Sequence, residues 1–185
     1  MLSARSACAL GAVALFAASA AGARASAGNC NCSAGAEIPR SFQPDWSPNG
    51  RQIAFVRRTG AQSDIFVMNR DGSSQRRVTR TDYSSEHDPA WSPDGRRIAF
   101  SSNGDGNDAI YVMNADGSHV LKLTTAADGS DEDPDWSPDG HSLVFVSERD
   151  GPWQIYVMNA DGSGQRDLTN NPAYDYSPAG RLTAA

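Results

Sequence analysis

Asp135-Trp136-Ser137-Pro138-Asp139-Gly140, followed by Ile155-Tyr156-Val157-Met158-Asn159-Ala160-Asp161-Gly162-Ser163, decides the fold because it is spelled three times. Ala90-Trp91-Ser92-Pro93-Asp94-Gly95 leads to Ile110 through Ser118, which repeats Ile155 through Ser163 letter for letter. Asp45-Trp46-Ser47-Pro48-Asn49-Gly50 leads to Ile65-Phe66-Val67-Met68-Asn69-Arg70-Asp71-Gly72-Ser73. The tryptophans stand at 46, 91 and 136 and the closing threonines at 79, 124 and 169, a period of 45 residues without slippage. A period of this length marks an array of like modules, each burying a face against its neighbour.

Each unit spells four short strands. The first is Pro-x-Trp-Ser, ended by Pro-Asp-Gly or Pro-Asn-Gly, in which Pro presets the first corner of a turn and Gly accepts the left-handed corner. The second, at 52–56, 97–101 and 142–146, alternates bulky residues with period two. The third, Ile-Tyr/Phe-Val-Met, is apolar on both faces, as a strand between two neighbouring modules must be. Asn-x-Asp-Gly then turns into a more polar fourth strand ending at Val78-Thr79, Leu123-Thr124 or Leu168-Thr169. Prolines and paired Gly turns recur too closely for helices of about 10–12 residues, which excludes a helical solenoid. The expected fold is all-β: three four-stranded antiparallel propeller blades at 44–88, 89–133 and 134–173, plus a partial fourth at 174–185. They form an open arc or half of a six-bladed ring.

Residues 1–27 read as a signal peptide, with Arg5 in its n-region, an apolar run from Ala7 to Ala21, and A-x-A cleavage sites at 23–25 and 25–27. That run is shorter than the roughly 20 residues a membrane span needs, so no span is expected after cleavage. The implied location is periplasmic or secreted. Residues 28–43 read as a linker with Cys30 and Cys32, whose pairing within the chain, between chains, or not at all stays open. The 16 Lys and Arg face 22 Asp and Glu for a net charge of −6. Loss of Arg5 and Arg24 with the leader makes the mature chain more acidic still. Such a balance opposes a nucleic-acid partner, which needs clustered cations.

The Trp-Ser-Pro-Asp/Asn-Gly turns, the Ile-Tyr/Phe-Val-Met-Asn strands and the Leu/Val-Thr closures resemble the WD-like propeller repeats of the TolB family. The same repeat is found in the tricorn protease and in relatives of prolyl oligopeptidase. The resemblance covers residues 44–180 and implies the blade fold. It also implies two functional classes: partner binding in an envelope system of the Tol-Pal kind, and scaffolding in polysaccharide lyases or gating in serine peptidases. The chain departs from the family at Tyr176 and Ala179, where the repeat has Trp and Asp, and the last spacing shortens to 40.

The turns of each unit share one rim and are nearly copied between units. The loops on the opposite rim differ between units and are mainly acidic, which places a binding site there, on variable loops over a rigid scaffold. The candidate binding residues are Asp82, Glu86, His87, Asp88, Asp105, Asp131, Glu132, Asp133, Arg149 and Trp153, while Trp46, Trp91 and Trp136 are structural. Asp88 and Asp133 occupy matching places before Pro89 and Pro134, at the start of each innermost strand. Together they are candidate ligands for Ca²⁺, which takes six to eight oxygens, and the alternative is an Asp-initiated turn. No other cofactor is expected. His87, His119 and His141 fall at unrelated repeat positions and read as surface histidines. No nucleophile elbow is present: Gly162-Ser163-Gly164 lacks the flanking residues.

The sequence therefore points to an exported non-enzymatic module that binds a protein or peptide on its acidic rim. The competing class is a fragment of a propeller enzyme, a lyase using His87, Asp88 and Asp133 or a peptidase gate. Three blades fall short of the four to eight of a closed propeller. A homodimer closing a six-bladed ring and a truncated gene product both account for the count.

Overall fold

The computed structural model describes residues 39–81, 83–125 and 129–175. The expected leader, Cys30, Cys32, Asp82 and the partial fourth unit from Tyr176 lie outside the described residues. Twelve strands form three antiparallel four-stranded sheets with strands in sequence order. The first blade is β1 (Arg40–Trp46), β2 (Gln52–Thr59), β3 (Gln62–Asn69) and β4 (Arg76–Arg77). The second is β5 (Glu86–Trp91), β6 (Arg97–Ser102), β7 (Ala109–Asn114) and β8 (Leu121–Lys122). The third is β9 (Asp131–Trp136), β10 (Ser142–Ser147), β11 (Gln154–Asn159) and β12 (Arg166–Asp167). No described helix is long and apolar enough to cross a membrane.

The first strand of each blade starts earlier than the sequence indicates. β1 takes in Arg40 to Gln43, within the stretch expected as linker, and pairs Phe42 with Val56. A register break between Phe42 and Asp45, repeated between His87 and Ala90, spoils the alternation from which a strand is read. The fourth strands are only two residues long, because the closing threonines have another task. Thr79, Thr124 and Thr169 hydroxyls accept the backbone N–H of Ile65, Ile110 and Ile155 at 2.9, 3.0 and 3.1 Å, replacing the next ladder bond.

Two apolar layers join the blades. Ala54, Ile65 and Val67 pack on Trp91, Ile98, Phe100 and Met113. Ala99, Ile110 and Val112 pack on Trp136, Leu143, Phe145 and Met158. The Trp136 indole also donates to the Ala90 carbonyl at 3.2 Å, and Arg97 lies 4.4 Å over its ring. Trp91 and Trp136 are buried, whereas Trp46 faces outward from the first blade and is 46% exposed. Gly117 shows how closely the blades approach at their turns. At φ +93 its added Cβ would lie 2.4 Å from the Val78 carbonyl oxygen, so only glycine fits.

Candidate functional site

The two rims of each blade treat polar side chains differently. On the turn rim Ser47, Ser92 and Ser137 hydroxyls accept the N–H of Gln52, Arg97 and Ser142 at 2.9 Å each and donate to Asn49, Asp94 and Asp139. The second turn is closed the same way, Ser118 Oγ donating to Asp116 at 2.7 Å and Ser163 Oγ to Asp161 at 2.6 Å. Serine hydroxyls accordingly hold Asp94, Asp116, Asp139 and Asp161 below the usual carboxylate range.

On the loop rim the inner strands carry Gln43, Asp88 and Asp133 at one repeat position, all with positive φ (49°, 52° and 52°). A left-handed residue before proline is costly, and Asp tolerates it better than most. Because all three blades share it, this conformation belongs to the repeat. It aims the three side chains around the inner edge of the arc. Gln43 Nε2 donates to Asp88 Oδ1, Gln43 Oε1 accepts the Asp88 N–H at 3.3 Å, and Ser101 Oγ donates to Asp88 Oδ2 at 3.2 Å. Burial, with repulsion from Asp133 added, pushes Asp88 up to about 6 against the attraction of His87.

Beside this row, His87 of the second blade meets Asp108 from the end of the β6–β7 loop, Nε2 to Oδ1 at 3.0 Å. Asp108 Oδ1 is buried beside the imidazole. Glu132 of the third blade completes a group of one imidazole and two carboxylates whose donor atoms lie within 4.8 Å of one another. Burial pushes Glu132 up to about 7, with Asp108 adding repulsion and His87 opposing it. Burial alone would lower the His87 imidazole, but Asp108, Asp88 and Glu132 outweigh it and raise it. The group is thus short of positive charge. It can take up a proton, a divalent cation through three mixed ligands, or a cationic group from a partner. For Ca²⁺ the Asp88–Asp133 pair is a poor set: it offers two carboxylates of the six to eight oxygens required, and both Asp88 oxygens already accept hydrogen bonds.

The TolB β-propeller domain family matches residues 32–183. The chain belongs to this family. A TolB from Agrobacterium tumefaciens is similar over 74% of this chain and 64% of its own, with 24% identity and a TM-score of 0.59. The TolB of Acinetobacter baumannii is similar over 73% of this chain and 33% of its own, with 25% identity and a TM-score of 0.65. A puromycin-hydrolysing peptidase of Mycobacterium tuberculosis shares the fold at 19% identity and a TM-score of 0.60 over 75% of this chain and 23% of its own. No curated protein sequence matches. The chain spans less than two thirds of either TolB structure.

Against this TolB-type framework the candidate residues separate into three groups. His87, Asp88 and Glu132 converge as described, with Asp133 beside Asp88. Glu86 and Asp131 do not line an open rim: both are buried, at 1% and 0% exposure, because they point between blades. Arg149 is spent on Asp131, which it contacts at 2.8 and 2.9 Å while lying over Phe145 and Tyr156. Asp105 is exposed and holds Lys122 at 2.7 Å and the Tyr111 hydroxyl at 3.2 Å. Trp153 is half-buried, its carbonyl accepting from Gln154 Nε2 and the Asp175 N–H.

His87 is a correction to the sequence reading: it is half-buried and paired, whereas His119 and His141 are exposed as expected of surface groups. Asp108 is the residue that sequence reasoning missed. Its signal lay in the repeat columns, since Ser63, Asp108 and Trp153 share one position, and Phe42, His87 and Glu132 share another. Columns that vary inside an otherwise copied unit hold this cluster.

Proposed function

We propose that this TolB-family chain is an exported, periplasmic or secreted binding module that takes a protein or peptide partner on its loop rim. The observation that carries this reading is the convergence of Asp88, Asp108, Glu132 and Asp133 with a single histidine at the inner edge of the arc. Lysine or arginine groups of a partner supply the charge this group lacks, and such complementarity sets on-rate and specificity. The net charge of −6 supports a basic partner surface and argues against nucleic acid. Ring closure by a second copy is part of the proposal: Phe42 and Trp46 are 40% and 46% exposed on the outward face of the first blade. A uniform two-chain mass in light scattering supports closure, and a folded monomer rules it out.

The binding test is capture of partners from an envelope extract with the unmodified chain and two double variants. Glu132→Gln with Asp133→Asn should weaken capture and reduce its salt dependence, while Asp116→Asn with Asp161→Asn on the turn rim should leave both unchanged. Stronger loss from the turn-rim pair reverses the site assignment. One observation favours an enzymatic second reading, namely that His87 Nε2 lies 3.0 Å from the Asp108 carboxylate, a charge partner of the kind general acid–base chemistry uses. On that reading the chain is part of a lyase of uronate polymers. Turnover of such a polymer that disappears in His87→Gln would establish it.

A further inference from the structure

The slot above the aromatic pair is filled by an arginine in the first and third blades but not in the second, where Lys122 Nζ lies 5.8 Å from the Tyr111 ring centre and is held by Asp105. In the third blade Arg149 lies 5.6 Å from the centre of Phe145 and 4.9 Å from that of Tyr156. Its Nη2 donates to both oxygens of buried Asp131, its Nη1 to Gln165 Oε1 at 2.7 Å and its Nε to Ser147 Oγ at 2.9 Å. In the first blade Arg57 enters the same slot from two residues earlier in the repeat, over Phe55 at 5.1 Å and Phe66 at 4.6 Å. It donates to Gln75, the counterpart of Gln165, at 2.6 Å.

The second blade keeps the receptor and lacks the arginine. Phe100 and Tyr111 stack at 5.6 Å, and Glu86 stands where the third blade has Asp131. The positions of Arg57 and Arg149 are taken by Ser102 and Gly104, and that of Gln165 by Val120. These six residues line a cavity of about 610 Å³ between the first and second blades. Glu86 is 1% exposed, and its Oε1 accepts from Ser84, Thr81 and Ser102 at 2.5, 2.8 and 3.3 Å. Its Oε2, buried, has no hydrogen-bond partner. A buried carboxylate oxygen left without a donor is expensive, and in the third blade the Arg149 guanidinium removes that cost for Asp131. Arg77, also on the cavity wall, is committed to Asp64 at 2.5 Å and to the Thr81 carbonyl at 3.2 Å, and Arg80 is exposed.

We propose that this cavity is a guanidinium-binding site, in which an arginine side chain from a bound peptide lies over Phe100 and Tyr111 and meets Glu86 Oε2. The chain itself supplies the stacked guanidinium twice and its contact with a buried carboxylate once, in the third blade. A planar guanidinium suits the place better than an ammonium, because it stacks on rings and forks onto a carboxylate at once. The inference does not rest on the loop-rim reading: the His87 cluster joins the second and third blades, and this cavity lies between the first and second.

The test uses blocked Gly-Arg-Gly peptide, its citrulline counterpart of the same shape without charge, its lysine counterpart, and free agmatine. Calorimetry on the unmodified chain should show the arginine peptide binding about tenfold or more tighter than the citrulline peptide, the scale of one charge-assisted hydrogen bond. The lysine peptide should fall between them. Agmatine binding as well as the arginine peptide identifies a small solute as the source of the guanidinium; weaker binding identifies a peptide. Glu86→Gln should remove the preference for arginine. Gly104→Arg should rebuild the arrangement of the third blade, raising the Tm and abolishing peptide binding. Gly104 has an ordinary φ and its added Cβ would come no nearer than 3.4 Å to Ser84, so the substitution fits the fold. Equal affinity for the arginine and citrulline peptides, or undiminished binding by the Gly104→Arg variant, overturns the proposal. Because the probes are small peptides, failure here leaves the capture experiment on the loop rim unaffected.

Discussion

The turn rim and the loop rim are made of the same residue types, rich in Asp and Ser, yet they send those acids in opposite directions. Asp94 and Asp139 sit in exposed turns, where a serine two residues back donates a hydrogen bond and the charge is held. Asp88 and Glu132 sit partly buried among other acids and are pushed up to about 6 and about 7. The lesson concerns distance along the chain. Turn acids are satisfied by partners two residues away, which a repeat copies intact, whereas rim acids face partners from other blades, which a repeat leaves free to vary.

The sharpest way to break this contrast is through the core on which both rims rest. Trp91→Ala and Trp136→Ala should each cost about 3–5 kcal/mol in denaturant unfolding, the range for large aromatic truncations, while Trp46→Ala should cost much less. Equal effects from all three would mean the outward face of the first blade is covered in solution. Next come the glycines of the two rims. Gly117→Ala on the turn rim meets the Val78 carbonyl at 2.4 Å and should cost about 3 kcal/mol, whereas Gly106→Ala on the loop rim, at φ +114 with open space, should cost only about 1 kcal/mol. Tm measurements on the pair check the order; Gly106→Ala as the worse variant would show the loops to be the rigid part.

The smallest effect is the dependence on pH, and its sign differs between the rims. Asp88 rises from 3.8 to about 6 and Glu132 from 4.5 to about 7, so between about pH 4 and 7 these two sites hold more protons in the folded chain than in the unfolded one. These two acids therefore favour folding at the low end of that window and lose the contribution as pH rises through their folded values. A raised His87 works in the same direction. The lowered turn acids act oppositely, supporting the fold above 3.8 and losing that support in stronger acid. Asp88→Asn with Glu132→Gln should flatten the decline from pH 4 to 7, read as Tm against pH. A variant profile parallel to the parent would show that these groups titrate normally.

Sequence revealed the fold almost whole, because turn chemistry and strand periodicity act over a few residues and Trp46, Trp91 and Trp136 mark the period openly. It misread the start of β1, where the bulge after Phe42 hides the pairing with Val56. The loop rim was legible as a region and less so as a site. Glu86 and Asp131 looked like surface charges, and only the stacking of blades shows that they point inward. His87 and Asp108 stand in columns that vary between repeats, which marks them out, but only the path of the β6–β7 loop brings the two together.

The glycine contact at the turns has a consequence for divergence. The separation between blades is gauged where Gly117 abuts the Val78 carbonyl and Gly162 that of Leu123, which a Cβ added to Gly162 would approach to 2.8 Å. Backbone touches backbone there, so the gauge contains no side chain to drift. Residues filling the wedge can be exchanged in compensating pairs while the pitch of the arc stays fixed. A lineage of such modules can therefore rewrite its interior and its loops separately, keeping little more of its ancestral spelling than the punctuation.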